Sequence, residues 1–545
     1  MNKIAQYLQE HIDGEVLTSA KARDYFSTDA SVLRVPPVMA IYPKNKNDVR
    51  KVARFTWQLA EKGHILPMTA RGRGTDQTGA AIGKGIVLVF PAHMNRLLEM
   101  DTKAKMARVQ PGALFRSFQE TVQTHGYFLP SYPASLDYST IGGAVANNSA
   151  GEKSLKYGST REWVDQLEVV LANGEIIYTG RLSKRELNKK KGLATFEGEI
   201  YRQLDGLITD NWELIQHAAQ SRAVSKNSSG YDLADVKRKD GSFDLTPLMV
   251  GSQGTLGIVT EAIVRLSPYS PQTELVVAEF ASLDAAHDAI SALLPLQPSA
   301  LEMVDQNLLA FVNRLQPNKL KDLVSDELPA LVLLVEFDDL KEKARRKGAK
   351  KALKVLEQLA SRVKHSSNHE EQERLWNIRH SAAAVINFSE DSRSSLPIIE
   401  DGIVPHEYFQ QYVKNVYALL EKYQLDVALW GHAGNANLHM QPLLDLGKVG
   451  DRQKVFKLMT EYYDMVLKLH GSIAAEHNDG RLRAPFAAKQ HGEEMMTLFS
   501  QLKTIFDPYE TLNPGVKTGT ELKDLTGLLR NEYSIQHLAD HLPRF

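Results

Sequence analysis

The stretch Pro130-Ser-Tyr-Pro-Ala-Ser-Leu-Asp-Tyr-Ser-Thr-Ile-Gly-Gly-Ala-Val-Ala-Asn-Asn-Ser-Ala-Gly-Glu-Lys-Ser-Leu-Lys-Tyr-Gly-Ser-Thr-Arg161 is crowded with small residues. Gly142, Gly143, Ala144, Ala146, Ser149, Ala150 and Gly151 leave little side chain between the backbone and its neighbours. Amide N–H groups in such a stretch can meet a phosphate or a flat ring directly. In isolation it also reads as a glycine-rich surface loop.

Two further turns share this character. Leu66 to Gly79 contains Arg71-Gly-Arg-Gly-Thr-Asp-Gln-Thr78 after a short apolar strand, with hydroxyls and two arginines suited to a pyrophosphate. Gly251-Ser-Gln-Gly-Thr-Leu-Gly-Ile-Val-Thr260 opens a strand that runs to about Leu266. Neither of the first two fits the dinucleotide fingerprint G-x-G-x-x-G or the P-loop. Three such turns from distant parts of one chain suit a long ligand held along its whole length.

Around them the chain alternates. Asn47 to Gly63 reads as a helix with Asn47 as its cap and Gly63 as its stop, followed by a strand at His64 to Met68. Gly85 to Phe90 is a second strand, Ala113 to Gly126 a helix, and Leu167 to Tyr178 a hairpin turning on Asn173-Gly174. The run Lys184 to Lys191 reads as a solvated face rather than an anion site. Beyond Pro268, strands at Thr273 to Phe280 and Leu331 to Phe337 alternate with helices at Leu283 to Leu294 and Leu340 to Ser361, an α+β cap over the first domain. After Lys517 the chain becomes a polar, leucine-spaced tail with no evident role in a site. The expected divisions are 1–268 (with an N-terminal extension at 1–33), 269–470, 471–517 and 518–545.

At 545 residues the chain exceeds one ordinary core. Its net charge of −1 gives no electrostatic argument for nucleic acid or an anionic membrane. Cysteine is absent, which excludes disulfides, iron–sulfur ligation and thiolate catalysis within these residues. Neither a signal peptide nor a spanning apolar segment is visible, so a cytoplasmic location is the default, open to a peripheral position at a membrane.

Outside the turns, the strongest polar pattern is Trp430-Gly-His-Ala-Gly-Asn-Ala-Asn-Leu-His-Met-Gln441, followed by Ala475-Glu-His-Asn-Asp-Gly480. An extended backbone would put Asn437, His439 and Gln441 on one face and Leu438 and Met440 on the other. His432 could fold back to His439 and Glu476 could add a carboxylate, a reasonable set for a divalent cation with zinc as first guess and manganese or iron as alternatives. Taken alone, two histidines seven apart are more often structural. Arg379, in Trp376-Asn-Ile-Arg379, offers a planar fork for a carboxylate, or else a surface arginine paired with Glu373 or Asp391.

Together, from about Arg34 to Lys517, these motifs resemble the flavoprotein superfamily of vanillyl-alcohol oxidase and p-cresol methylhydroxylase. Within it they resemble the branch of FAD-linked D-lactate, D-2-hydroxyglutarate and glycolate dehydrogenases. The resemblance implies an α+β fold: a two-lobed FAD-binding domain, a ferredoxin-like cap and a small C-terminal helical segment. It implies non-covalent FAD on three surfaces. The first is Arg71, Gly72, Arg73, Gly74, Thr75, Asp76, Gln77 and Thr78. The second is Pro133, Ser135, Asp137, Thr140, Ile141, Gly142, Gly143, Ala146, Asn147, Asn148, Ser149, Tyr157 and Gly158. The third is Gly254, Gly257, Ile258 and Val259, with Asn513 close to the flavin ring. It implies metal ligands at His432, His439 and Glu476, a base at His477, and substrate contacts from Arg379, Asn437 and Gln441.

The chain departs from the family pattern at Asn435 and Ala436, usually Asp-Gly, at Asn478, usually Gly, and at Val516, inserted into an N-P-G-K signature. The lysine that hydroxyglutarate-specific relatives use for the distal carboxylate has no counterpart around Leu396 to Asp401. Lys226 to Leu233 resembles the segment N-x-x-G-Y-D-L near the flavin, with Tyr231 reading equally as a core tyrosine. The expected activity is oxidation of a D-2-hydroxy acid to the 2-oxo acid, D-2-hydroxyglutarate and D-lactate leading. Electrons would pass to a quinone, a cytochrome or an iron–sulfur protein, and a homodimer is compatible. The alternatives are an ether-forming flavoprotein of the same fold, a non-catalytic FAD-binding subunit, and a metal hydrolase, which leaves the three turns unexplained.

Overall fold

The structure, a computed structural model, describes residues 3–543 except 387, 391 and 426. In the first lobe, Met39–Tyr42, Ile86–Val89 and Met68–Arg71 form a parallel set, and Glu15–Leu17 closes one edge antiparallel. The strands Met39–Tyr42 and Ile86–Val89 are buried on both faces, as a covered parallel sheet requires. The crossover helix is Lys46–Ala60. Its cap is Asn45, whose side chain accepts from the N–H groups of Asn47 and Asp48, so the expected cap Asn47 lies inside the first turn. Gly63 does close the end, at φ +82°. The expected strand His64 to Met68 also moves: ladder pairing starts only at Met68, opposite Ile86. Pro67 has no N–H to give and offers only its carbonyl, taken by Ile86 N–H.

The second lobe is a five-stranded antiparallel sheet in the order Leu97–Asp101, Met106–Val109, Ile258–Arg265, Val164–Val170 and Ile176–Tyr178. Its last two strands are the expected hairpin, with Gly174 at φ +85°. Helices Lys184–Lys191, Phe196–Asp210 and Trp212–Gln220 lay Leu187, Ile200, Leu204 and Ile215 into this lobe's core. In the lysine run, Lys190 and Lys191 pair with Glu197 and Asp205, so the run stays a structural surface.

The cap carries a six-stranded antiparallel sheet: Arg362–Ser366, Glu274–Phe280, Leu331–Phe337, Ala300–Asp305, Leu429–His432 and Asn437–Met440. Its first four strands, numbered along the chain, lie in the order fourth, first, third, second, with helices Leu283–Leu293 and Glu342–Leu359 on the first and third connections. That is the ferredoxin-like arrangement. Alternation divides Glu274–Phe280 between two cores: Val276, Ala278 and Phe280 enter one, Leu275 and Val277 the other. The hairpin Leu429–His432 and Asn437–Met440 extends this sheet at one edge and carries both histidines of the polar pattern. Helix Ala484–Phe506 then returns to the second lobe, breaking at Gly492 (φ 76°) so that Phe486 packs in the cap core and Phe499 in the lobe core.

Lys153 joins the parts. Its ammonium lies 2.5 Å from Glu336 and 3.2 Å from Asp338 of the cap, with Lys156 and Tyr157 also on Asp338. Burial raises the Asp338 carboxyl, but the neighbouring lysines outweigh it and hold it below its ordinary value. Lys153→Met leaves two buried carboxylates without their main partner, so it is expected to cost about 3 kcal/mol or more. Denaturant unfolding followed by tryptophan fluorescence measures it; a loss below about 1 kcal/mol would mean that the pair is solvated.

Candidate functional site

The three small-residue turns meet because side-chain amides stitch them. Asp76 accepts from the N–H groups of Thr78 (3.0 Å) and Ala80 (2.7 Å), which shapes the first turn. Its other oxygen accepts from Asn147 Nδ2 of the second stretch (3.1 Å), and Asn147 Oδ1 accepts from Gln253 Nε2 of the third turn (3.0 Å). The closeness is why glycine is needed at Gly72, where a Cβ would stand 2.4 Å from Thr140 Oγ1. Thr140 caps helix Ile141–Asn147, accepting from Gly143 N–H, and Asn148 ends it in the left-handed region. Asn513 Nδ2 donates to Ala80 O and Gln253 O, tying the first and third turns from behind.

Between these turns and the cap lies a cavity of about 950 Å³. Arg71, Gly72, Arg73, Gly74, Thr75, Asp76 and Gln77 line it, as do Pro133, Ser135, Asp137, Thr140, Gly142, Gly143, Ala146, Asn147, Ser149, Gly254, Gly257 and Val259. Thr78, Ile141, Asn148, Ile258 and Asn513 stand behind this wall, and Asn513 is wholly buried rather than facing the cavity. Tyr157 and Gly158 do not line it either; the Tyr157 hydroxyl donates to Asp338 in the cap. Tyr231 is a core tyrosine, hydrogen-bonded to Thr255 at 2.7 Å. Both arginines of the first turn line the cavity and are partly engaged. Arg71 Nη1 donates to Thr28 O and Ala81 O, and Arg73 Nη2 to Leu538 O and Asp540 O, which leaves the backbone N–H groups and the remaining guanidinium donors for an anion.

Those last two carbonyls belong to the tail, which overturns the expectation that it has no place in the site. Tyr533 to Gln536, Leu538 and Ala539 line the cavity, and His537 Nε2 meets Gly74 O at 3.0 Å. Arg530 anchors the segment to Leu33 O and Asp29 O.

At the cap side, the hairpin register sets Trp430 opposite His439 and His432 opposite Asn437. Glu476 Oε1 lies 3.1 Å from both His432 Nε2 and His439 Nε2. Two atoms bonded to one zinc-sized cation at about 2.0–2.2 Å stand about 3.0–3.5 Å apart, so the spacing fits such an ion. Glu302 takes His432 Nδ1 at 2.7 Å and leaves Nε2 to the set, the support that metal-binding histidines use. The other Glu302 oxygen accepts from Arg379 Nε at 2.8 Å. Glu476 Oε2 accepts from the buried Lys226 ammonium at 2.6 Å. Burial raises the Glu476 carboxyl, yet Lys226 and His432 hold it well below the ordinary range, so the donor is an anion. His439, Glu476, Arg379 and Gln441 line the cavity, whereas His432 and Asn437 lie behind. Asn437 Nδ2 donates to Gly402 O, so it is not a substrate contact in this arrangement.

His477 completes the site. Its Nδ1 faces Glu400 at 2.5 Å; a carboxylate only accepts, so the proton sits on Nδ1 and Nε2 is the basic nitrogen. Arg483 holds Glu400 from the far side, and Asp401 accepts from the N–H groups of Glu476 and His477. Burial lowers the His477 pKa, but Glu400, Asp401 and Glu476 outweigh it and raise it to about 9. A cation in the adjacent donor set would bring it back toward neutrality, where a general base is most useful. Sequence reasoning passed over Lys226, Glu302, Glu400, Asp401 and Arg483. Glu302 had a visible signal, a glutamate within the apolar run Ala300 to Val304.

Two of the departures from the family pattern fall at positive φ: Ala436 at 56° and Asn478 at 67°. Asn478 uses its side chain there, donating to Asn147 O (3.1 Å) and Gly251 O (3.0 Å) and accepting from Lys517. Asn478→Ala keeps the backbone strain and loses these bonds, an expected cost of about 2–4 kcal/mol; Asn478→Gly, free of the strain, should lose less. Thermal unfolding of the two variants compares them directly, and equal losses would assign the whole effect to the hydrogen bonds.

Residues 37–180 match the family described as FAD binding domain, and residues 270–516 the C-terminal domain of FAD linked oxidases. The chain is 31% identical to the glycolate oxidase subunit GlcD of Bacillus subtilis over 88% of each chain. It is 26% identical to the D-2-hydroxyglutarate dehydrogenase of Pantoea ananatis, over 92% of this chain but 50% of that one, and 27% identical to that of Escherichia coli, over 94% and 51%. It thus spans about half the length of those dehydrogenases. Among solved structures it resembles 4-ethylphenol oxidase from Gulosibacter chungangensis, with a TM-score of 0.66 at 16% identity over 95% and 97% of the two chains. Alkyldihydroxyacetonephosphate synthase follows at 0.62 and 14%, over 92% and 82%; at such identity both show the fold alone. No described helix is long and apolar enough to cross a membrane. With its two domains matched and its fold of the p-cresol methylhydroxylase type, the chain belongs to the FAD-linked D-2-hydroxyacid dehydrogenase family.

Proposed function

We propose that this protein oxidises a D-2-hydroxy acid to the corresponding 2-oxo acid, with FAD along the three turns and a divalent cation at His432, His439 and Glu476. One observation carries the reading: a histidine with a carboxylate on Nδ1, two members of a three-ligand donor set and a buried arginine all border the cavity that the FAD-binding turns enclose, with the third ligand, His432, just behind. When bound, FAD supplies the acceptor for two electrons and a proton, and the cation makes the C2 hydroxyl more acidic.

The residues of the chain supply the rest. Arg379 orients the C1 carboxylate, its own Nε fixed by Glu302 so that the planar fork is held in place. His477 Nε2 takes the hydroxyl proton, while Glu400 keeps the proton on Nδ1 and stabilises the imidazolium that forms. Arg483, itself fully buried, stops Glu400 from swinging away. C2 loses its hydrogen with the bonding pair and becomes a carbonyl carbon. The apolar walls and the tail exclude bulk water from this exchange.

Anaerobic mixing of the FAD-loaded protein with D- and L-2-hydroxy acids tests this. Bleaching of the flavin band by D-acids, lost on chelation and recovered with a divalent ion, is expected. Bleaching that survives complete metal removal would take the cation out of the reaction. His477→Ala should slow reduction about 10²- to 10⁴-fold with FAD content unchanged. A reduction rate equal to that of the wild type would take His477 out of the proton-transfer step.

A further inference from the structure

The part of the cavity beyond Arg379 is where a substrate's side chain must lie, because the C1 carboxylate and C2 hydroxyl are spoken for by Arg379 and the His439/Glu476/His477 side. That part is bounded by Ala382, Ala383, Ile386, Phe388 and Trp430. Trp430 is buried, its ring 6.4 Å from that of His439, and Phe388 stands edge-on against Phe311 at 4.7 Å.

A second carboxylate on the substrate would need a second cation there, and the described residues offer none unengaged. Arg71 and Arg73 belong to the first cofactor turn and donate to carbonyls, and Arg116, on helix Phe115–Gln123, is paired with Asp137. His380, next to Arg379, is held by Glu152 at 2.8 Å and stacked on Trp376 at 5.7 Å. Glu152 also lines the cavity; burial raises its carboxyl, but His380 and Arg379 bring it down to about 2, so it presents a negative charge. Gln441 is the uncharged polar neighbour, its Oε1 already accepting from Ser395. Arg314 lies over the rings of Phe311 and Phe388, the latter part of this wall, and is not among the residues that line the cavity.

We infer that the acid taken by this site is a monocarboxylate with an apolar, alkyl-type side chain, and that a second carboxylate is rejected by the wall of Ala382, Ala383, Ile386 and Phe388 and by Glu152. The inference rests on the dehydrogenase reading above and narrows its substrate class. A carboxylate forced against that wall loses its hydration with no cation in return, whereas an alkyl group gains from burial.

The test uses a shape-matched pair. D-2-Hydroxyisocaproate and D-malate differ by an isopropyl group against a carboxylate on the same carbon, and D-2-hydroxyglutarate extends the acidic series. Anaerobic reduction of the FAD-loaded, metal-replete protein is expected to be at least about 100-fold more efficient with the isocaproate than with either dicarboxylate. Equal or faster reduction by a dicarboxylate would overturn the inference. A second readout separates it from the redox reading: 4-methyl-2-oxopentanoate and oxaloacetate are titrated against the flavin absorbance. Tighter binding of the apolar oxo acid supports the inference even if no hydroxy acid reduces the flavin, an outcome that would remove the dehydrogenase reading instead. Tighter oxaloacetate overturns it. Ala383→Lys, which adds a cation at this wall, should narrow the isocaproate-to-malate ratio at least about 10-fold; an unchanged ratio would show that the side chain lies elsewhere.

Discussion

The hydrogen-bonded chain Asp76–Asn147–Gln253 is the constraint on which the rest of the site depends. Each residue belongs to a different turn, and none of the turns has a regular ladder to hold it. A buried side-chain amide left unpaired costs about as much as the bond it would make, so the three turns find their geometry together or not at all. The C-terminal region joins the same chain when Gly480 N–H donates to Gln253 and Asn478 to the carbonyls of Asn147 and Gly251. Segments more than 300 residues apart in sequence thereby share one polar core.

The second organising feature is how burial of charge is balanced. Lys226, Glu476, His432, Glu302 and Arg379 form a continuous series in which each charged group meets one of opposite sign or a titratable ring. Arg483 and Glu400 do the same for His477. Removing one member strands its neighbour in a medium of low dielectric, so the series acts as a unit. It also fixes which nitrogen of each of His432 and His477 faces its carboxylate, and that decides which one can bind or accept a proton.

Much of this was legible beforehand. The turns, the α+β class and the cap strands Glu274–Phe280 and Leu331–Phe337 follow from patterns of small residues and apolar alternation, whereas the set of His432, His439, Glu476 and His477 came from the family resemblance, spacing alone being weak evidence for it. Boundaries moved where a local detail won: Asn45 rather than Asn47 captured the free N–H groups, and Pro67 delayed the strand. Arg71 and Arg73 were read by charge, and what charge does not reveal is that one nitrogen of each also holds carbonyls from elsewhere in the chain. Asn437 was assigned by periodicity alone, which cannot tell a cavity from a neighbouring loop such as Gly402. The tail was invisible for a simple reason. Arg73, Arg530 and Tyr42 bind its main-chain carbonyls, groups that every sequence supplies alike.

That wall has a consequence in time. Residues 533–539 are made after every other element that borders the cavity. While the chain is being synthesised, the first turn can fold with its side toward the future tail still open, and Arg73 has no carbonyl to hold. Once the segment arrives, Arg530 seats against Asp29 and Leu33 and the last wall of the cavity is in place. The order of synthesis therefore makes the tail the final piece of the cavity, added to a surface that the earlier turns have already shaped.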